Sequence, residues 1–531
     1  MTGPDNEIRR NEITGRDIID GLLKDAEAAL AAGATAKALA IYQGVLMHEP
    51  DHVLALRQAG AIMLHQNNAG AALQLFQHAV KLKPADADLY HGVGTALRQI
   101  GYVDEAILAL KGAVQVDPAH KPALYDLGLL YKQKGDYAKA EQMLGKAAAQ
   151  ANAYGESRFE AELQRAVALF KQDRLPEAER WFHRAGLLNP DDPRPFVNVA
   201  VIYRIWGHFD AAEKWLRKAI EAAPDSAEAH WTLAHVLLVK GDLPGGFAEY
   251  EWRFRREGRA ERAMPMPRWT GEDLNGKTLL LTAEQGLGDM IHFSRFAPDF
   301  AGRGARVIVE CHPGLEVLLS TVPAVSGVIT LGQTLPPADY YLPMMSSALA
   351  LGISLETIPA PIPYVSAPKP MKPLAAAGFK VGLVWRGNAK HENDRFRSVD
   401  LGTLLPVLKV PGAVFYSLQI GGTDELRALP DVTVHDLSPA LTDFSATASN
   451  IAQLDLVITV DTAVAHLAGA LGRTAWVLLA RGNDWRWLHG RSDTPWYPSL
   501  ALFRQTPPRD WGVPVAEMAR ALTSRIAQAK R

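Results

Sequence analysis

Pro50 to Pro84 reads PDHVLALRQAGAIMLHQNNAGAALQLFQHAVKLKP. It is bounded by prolines 34 residues apart; Pro118 lies 34 further on, and Pro190 and Pro224 repeat the interval. Working outward, an alanine stands twelve residues before each proline: Ala38, Ala72, Ala106, Ala178 and Ala212. Ala140 keeps that register where Asn152 replaces the proline. A large apolar residue stands eight before each: Tyr42, Phe76, Leu110, Phe182 and Leu216. Gly60, Gly94 and Gly128 fall ten after. A fixed period of this length means stacked units, each unable to bury its apolar face alone. The spacing predicts paired antiparallel helices. Small residues let them approach, large ones fill between them, and proline ends one pair or opens the next.

This pattern resembles the tetratricopeptide repeat (TPR) over residues 17–253, and the resemblance implies a groove for a protein or peptide partner. Positions seven after each proline are expected to line it: Arg57, His91, Tyr125, Val197 and Trp231. Some TPR proteins that glycosylate other proteins carry an asparagine ladder one position later. Here those positions are Gln58, Gly92, Asp126, Asn198 and Thr232, so the ladder is absent and a more selective partner is expected.

The 34-residue period stops after GFAEYEWRF. The basic, proline-bearing stretch that follows predicts a linker over 254–272. Two series of apolar strands come next. KTLLLT, ARVIVE and SGVIT fall in a lobe at 273–365; FKVGLVW, AVFYSLQ, VTVHDL, LDLVITVD and TAWVLLA fall in one at 374–510. Strands alternating with helical segments predict two Rossmann-like lobes joined by the proline-rich Pro359–Pro373, with a cleft at the carboxyl ends of the strands. The amphipathic segment 511–531 is expected to be a helix packing back on the first lobe. The fold class is thus an all-α repeat array followed by an α/β module.

Composition sets outer limits. The chain has 531 residues and a formal net charge of −2, so no overall basic field draws it to nucleic acid. A single cysteine, Cys311, excludes an internal disulfide and a multi-cysteine zinc site. The polar start lacks a signal-peptide core, and no apolar run approaches the roughly 20 residues that span a bilayer. A cytoplasmic protein without membrane insertion is expected.

Four segments carry candidate chemistry; the last in the chain, RGNDWRWLHGRSDTPWYPSLALFRQ, joins Trp485, Trp487, Trp496 and Tyr497 to Arg486 and Arg491, and its tryptophans either close over a donor or seal the lobe. AEQGLGDMIHFSRF (Ala283–Phe296) follows a strand and opens a helix, with Gly286, Gly288, Asp289 and His292 at the turn. Asp289 is either a base facing an acceptor or a cap on its own helix. LDLVITVDTAVAHLAGALG runs strand, turn, helix. Its free amides make an anion site near Thr462 and Ala463. Asp461 binds sugar hydroxyls or caps the helix, and His466 faces the cleft or packs. In VGLVWRGNAKHENDRFRSVDL, Lys390, Arg395, Arg397 and Ser398 form either a clamp on phosphate or carboxylate or a solvated loop.

GLGDMIHFSRF and DTAVAHLAGALG resemble two motifs of the ADP-heptose transferases of lipopolysaccharide synthesis. In that family the aspartate of the first motif is the proposed catalytic base, and it corresponds to Asp289. The whole chain, about 17–525, resembles bacterial fusions of TPRs to a heptosyltransferase-like GT-B module, among them the flagellin glycosyltransferases of alphaproteobacteria. The resemblance implies transfer of a nonulosonic acid such as pseudaminic acid, from its CMP-activated form, to serine or threonine of flagellin. It departs from true heptosyltransferases in its repeats and short first lobe. No D-x-D pair occurs in the α/β half, so no metal is expected and the nucleotide-sugar is substrate rather than cofactor. The alternatives are a UDP-N-acetylglucosamine protein transferase, a glycolipid-directed enzyme and a non-catalytic scaffold.

Overall fold

A computed structural model describes residues 15–150, 156–359, 361–368, 372–374, 377–389, 394–429, 431–506 and 510–529. The chain divides into two compact units, one ending at Pro195 and one beginning at Phe196.

The first unit is a run of helical hairpins: α1 (Gly15–Ala31), α2 (Thr35–His48), α3 (Val53–His65), α4 (Ala69–Leu82), α5 (Ala87–Ile100), α6 (Val103–Val116), α7 (Lys121–Gln133), α8 (Tyr137–Ala149), α9 (Glu156–Lys171) and α10 (Leu175–Leu188). The repeat residues do what their spacing demands. Ala38, Ala72, Ala106, Ala140 and Ala178 are fully buried, as are Tyr42, Leu110 and Phe182. A Cβ at Gly128 would lie 2.6 Å from Leu144, and one at Gly94 2.6 Å from Leu110, so glycine sets the approach of the paired helices. Pro50, Pro84 and Pro118 each follow a helix C-cap residue, where no amide is needed.

The second unit opens with four more repeat helices: α11 (Arg194–Ile205), α12 (Phe209–Ala222), α13 (Ala227–Lys240) and α14 (Leu243–Tyr250). Two parallel sheets follow. The first contains β1 (Thr278–Thr282), β2 (Arg306–Cys311), β3 (Val325–Thr330) and β4 (Tyr340–Pro343), ordered β3-β2-β1-β4. The second contains β5 (Phe379–Val384), β6 (Ala413–Ser417), β7 (Val434–Asp436), β8 (Leu456–Val460), β9 (Ala475–Leu479) and β10 (Leu500–Arg504), ordered β10-β9-β8-β5-β6-β7. Every pairing is parallel, and β8 and β9 are buried throughout, as apolar runs covered on both faces require. Helix α15 (Leu287–Phe293) follows β1 and carries the first motif; α16 (Ala463–Ala470) follows β8 and carries the second.

Two features depart from the expected layout. The segment after α14 is tied down: Arg253 is buried and ion-paired to Glu251 and Glu284, and Trp269 donates its backbone N–H to the Tyr341 carbonyl at 2.8 Å. The terminal helix α17 (Gly512–Ala529) does not return to the first lobe. Its stripe Val515, Met518, Leu522 and Ile526 shares a core with Val381, Leu383, Leu404 and Ile458 around the second sheet, which leaves that stripe no apolar surface to offer elsewhere.

Candidate functional site

Strand order locates a crevice in each sheet. In the second, chain order reverses between β5 and β8, the topological switch point at which open α/β sheets bind ligands. The loops leaving these two strands carry the polar segment ending at Ser398 and the Asp461–Thr462 turn. In the first sheet the reversal lies between β1 and β4, and β1 leads into the turn bearing Gly286 and Asp289.

The two motif helices meet. A Cβ at Gly288 would stand 2.9 Å from His466 Cδ2 and 3.2 Å from Ala463 Cα, so the glycine allows the start of α15 to touch the start of α16. Thr462 is the N-cap of α16, but its hydroxyl lies 3.1 Å from that of Thr459 and caps nothing. The first amides of the helix are therefore left without a side-chain cap, a polarity suited to an anion. Arg397 donates to the Asp461 carbonyl at 3.0 Å and pairs with Asp394 at 3.3 Å. Ser398 accepts from the Gly387 N–H at 3.0 Å, and Arg395 is exposed, its guanidinium 4.6 Å from the Phe396 ring. Lys390 lies outside the described residues.

Asp289 performs the capping that its position suggests and makes a second contact. One carboxylate oxygen accepts from the Gly286 N–H at 2.8 Å; the other accepts from Arg486. Arg486 is buried and also donates to Asp484 at 2.9 Å, so one guanidinium ties the first-lobe turn to the second-lobe loop. Asp461 is half-buried, and burial together with the Asp484 charge pushes its carboxyl up to about 6. Arg486 overcomes burial at Asp484 and holds it well below the usual carboxylate range.

The last repeats reach this cluster. A Cβ at Gly482 would lie 2.4 Å from the Arg204 carbonyl, and Arg481 Nε donates to the Trp206 carbonyl at 2.9 Å. The loop leading to Asp484 thus rests on the end of α11. Phe247 of α14 packs edge-on against Trp485 at 5.4 Å. Tyr250, also on α14, is buried, and its phenol is pushed up by burial and then by the Asp289 charge. His235 of α13 is pushed down to about 3, by burial first and the Arg204 charge second. Its ring lies 4.6 Å from Trp231 and 5.5 Å from Tyr250. Trp231 is half-buried beneath Arg256, 3.8 Å away, so this predicted groove residue leads toward the α/β site.

In the first unit two of the other predicted groove residues, Arg57 and His91, make polar contacts to aspartates across the repeats. Arg57 and His120 both reach Asp88, at 3.2 and 3.0 Å; His91 reaches Asp126 at 2.9 Å; Tyr125 is half-buried. Where an asparagine ladder would stand, Asp126 is already engaged by His91.

His292 is not on the turn. It is fully buried on α15 and bonded to Tyr497. Sequence reasoning placed Arg486 and Tyr497 in an aromatic segment and missed Asp484, Tyr250 and His235 as neighbours of the two motifs. The aromatic segment carried the one available signal: two arginines among tryptophans that fold into the core. Among the described residues no helix is long and apolar enough to cross a membrane, and no cluster of His, Cys, Asp and Glu is arranged to hold a metal.

Comparison with known proteins agrees with the repeat assignment. Tetratricopeptide repeat models match residues 29–97, 101–156 and 193–226. Protein FlbA of Caulobacter vibrioides is 27% identical over 528 residues, covering 92% of this chain and 82% of that protein. A probable UDP-N-acetylglucosamine–peptide N-acetylglucosaminyltransferase, SPINDLY of Petunia hybrida, is 31% identical over 93 residues, 18% of this chain and 10% of that protein. Among solved structures, YrrB, a TPR protein with an unusual peptide-binding site, aligns with 34% of this chain and 91% of its own at 19% identity and a TM-score of 0.30. The chain is an array of tetratricopeptide repeats followed by an α/β region of parallel sheets.

Proposed function

We propose that this chain is a protein O-glycosyltransferase of GT-B type, with the nucleotide-sugar between the two lobes and the acceptor protein on the repeats. The observation that carries the reading is the meeting of the two motifs at Gly288, Ala463 and His466, each beside the switch point of its sheet. The match to FlbA across both regions supports treating repeats and lobes as one working unit. A nonulosonic acid from its CMP form, and flagellin as acceptor, follow from the resemblance of the chain to flagellin glycosyltransferases. On this reading the reaction is cytoplasmic.

The step is a displacement. The acceptor serine or threonine oxygen bonds to the anomeric carbon as the bond from that carbon to the nucleotide phosphate oxygen breaks. The hydroxyl proton goes to Asp289; each oxygen of that carboxylate accepts one hydrogen bond and keeps a further lone pair. The electron pair leaves with the phosphate, toward the uncapped amides of α16 and the cations Arg397 and Arg395. Attack from the face opposite the nucleotide inverts the anomeric centre. Asp461, beside the sugar, offers hydrogen bonds to its hydroxyls.

Thermal melts of the full chain with CMP, UDP, GDP and ADP test the reading. A ligand that binds only the native state adds about 2.7 kcal/mol of stability at a hundredfold excess over its Kd. CMP is expected to raise the melting temperature most. If none of the four shifts it at millimolar concentration, the cleft is not a nucleotide site and the reading falls.

A further inference from the structure

Where α15 and α16 abut, two histidines share one hydroxyl. His292 Nδ1 lies 2.9 Å and His466 Nδ1 3.1 Å from the Tyr497 oxygen, and all three residues are buried. Tyr364, 3.4 Å from Tyr497, is otherwise engaged: it accepts from Arg295 at 3.2 Å and donates to the Ile291 carbonyl at 3.1 Å. Burial pushes both imidazoles down, His466 to about 3. Arg295 and then Arg486 add to this at His292; at His466 Arg486 comes first, with Arg295 and Arg397 behind it and Asp484 opposing. Burial pushes the Tyr497 phenol well up. Each imidazole therefore carries one N–H, and the phenol keeps its proton.

Counting protons decides the arrangement. Tyr497 has one to give and an imidazole nitrogen on either side, so one histidine receives it and the other brings a proton to its own Nδ1. The far nitrogens settle which. His292 Nε2 is buried with no partner among the described residues. Among main-chain groups an orphaned buried N–H is rarer than an under-satisfied acceptor; applied to the ring, that preference puts the His292 proton on Nδ1, donating to Tyr497. The Tyr497 proton then goes to the nearer remaining acceptor, His466 Nδ1. That leaves the His466 proton on Nε2, next to the Cδ2 edge that lies against Gly288. Stacking on Trp487, with ring centroids 5.1 Å apart and planes 14° apart, fixes the ring plane.

We propose that Tyr497 and His292 are positioning residues that hold His466 as its Nε2–H tautomer, presenting a neutral hydrogen-bond donor to an oxygen of the nucleotide-sugar; this rests on the cleft being a nucleotide-sugar site. A neutral donor binds phosphate or hydroxyl oxygen without titrating, so this contact does not change between pH 5.5 and 8.

The test is a long-range proton–nitrogen NMR spectrum of the full chain labelled with 15N in the histidine rings. The two signals are assigned by their loss in His292→Gln and His466→Gln. The expected spectrum has His466 protonated at Nε2 and His292 at Nδ1, both unchanged from pH 5.5 to 8. Two rings in the same tautomer, or a His466 that titrates in that range, would overturn the proposal. Tyr497→Phe keeps the shape and removes the shared proton; CMP affinity should fall about 3- to 10-fold, the size of one hydrogen bond. His466→Gln, which still offers a neutral N–H, should bind CMP better than His466→Ala; equal loss in both would also count against the proposal. If the unmodified protein binds none of the four nucleotides, the function reading fails, while the spectrum still decides the tautomers on its own.

Discussion

Phe76 of α4 packs with Ala72 and Ala79 of its own helix and with Leu56, Leu89 and Val93 of the neighbouring repeat helices. Leu216 of α12 holds the same place in its repeat, yet its core also contains Phe247, Leu279, Phe293 and Trp485. Both stand eight residues before a repeat proline. The local rule is the same, and what closes the core differs. Helices α1–α10 bury their faces on one another. Helices α11–α14 bury theirs partly on the α/β lobes, and α13 shows the consequence: nine of its 14 residues are buried, against three of 14 in α2. A helix apolar on most sides has a neighbour on most sides.

The difference can be broken most severely by cutting the chain in two places. A fragment of residues 265–531 loses the α11–α14 side of its core and exposes the surfaces covered by Phe247 and Tyr250; it should fail to give a cooperative melt by circular dichroism. A fragment of residues 190–531 keeps that core and should melt cooperatively. If 265–531 folds as well as the longer fragment, the last repeats are not part of the α/β unit.

A smaller change at the same junction is Gly482→Ala. The new Cβ would meet the Arg204 carbonyl, a backbone atom that cannot swing away, and overpacking of this kind costs about 1–3 kcal/mol. Denaturant melts should show the loss, with weaker nucleotide binding because the loop carries Asp484 and Arg486. An unchanged midpoint would mean that the loop does not rest on α11.

Asp461 sharpens the comparison through pH. Its carboxyl is raised to about 6, against about 3.9 in an unfolded chain, so the folded state binds its proton more tightly. That stability is fully present below about pH 4 and is lost as pH rises through about 6. Asp461→Asn removes the loss, so its advantage in melting temperature over the unmodified protein should grow between pH 4 and 6.5. A constant difference across that range would contradict the raised value. The other side of the comparison is the first unit, α1–α10. The mildest test lies there: a Cβ added at Gly44 of α2 would have nothing within 4 Å, so Gly44→Ala should stabilise by about 0.5–1 kcal/mol without affecting nucleotide binding.

These contrasts also mark what could be read in advance. The repeats were legible because Pro50, Ala72 and Phe76 obey a local period, and eight strands because runs such as LVITV consist of apolar and β-branched residues. The motif turns at Asp289 and Thr462 were legible as strand-to-helix junctions. β4 was missed because Tyr340–Pro343 is four residues ending in proline, and β10 because Leu500–Arg504 follows a tryptophan-rich loop that draws the eye to its aromatics. The Arg486 bridge, the Tyr497 hydroxyl between two histidines and the approach of Tyr250 to Asp289 join residues far apart in the chain, and no spacing records such contacts. The stripe of α17 was visible as amphipathic, but amphipathicity does not name the surface it covers.

Intact-mass spectrometry of flagellin incubated with the full chain and a CMP-activated nonulosonic acid tests the central claim most directly. The account predicts that flagellin gains the mass of whole sugar residues on serine or threonine, and that Asp289→Ala, which still binds CMP, slows the gain by about 10²–10⁴-fold, the usual contribution of a general base. Flagellin unchanged by the unmodified protein, or modified equally fast by Asp289→Ala, would contradict it.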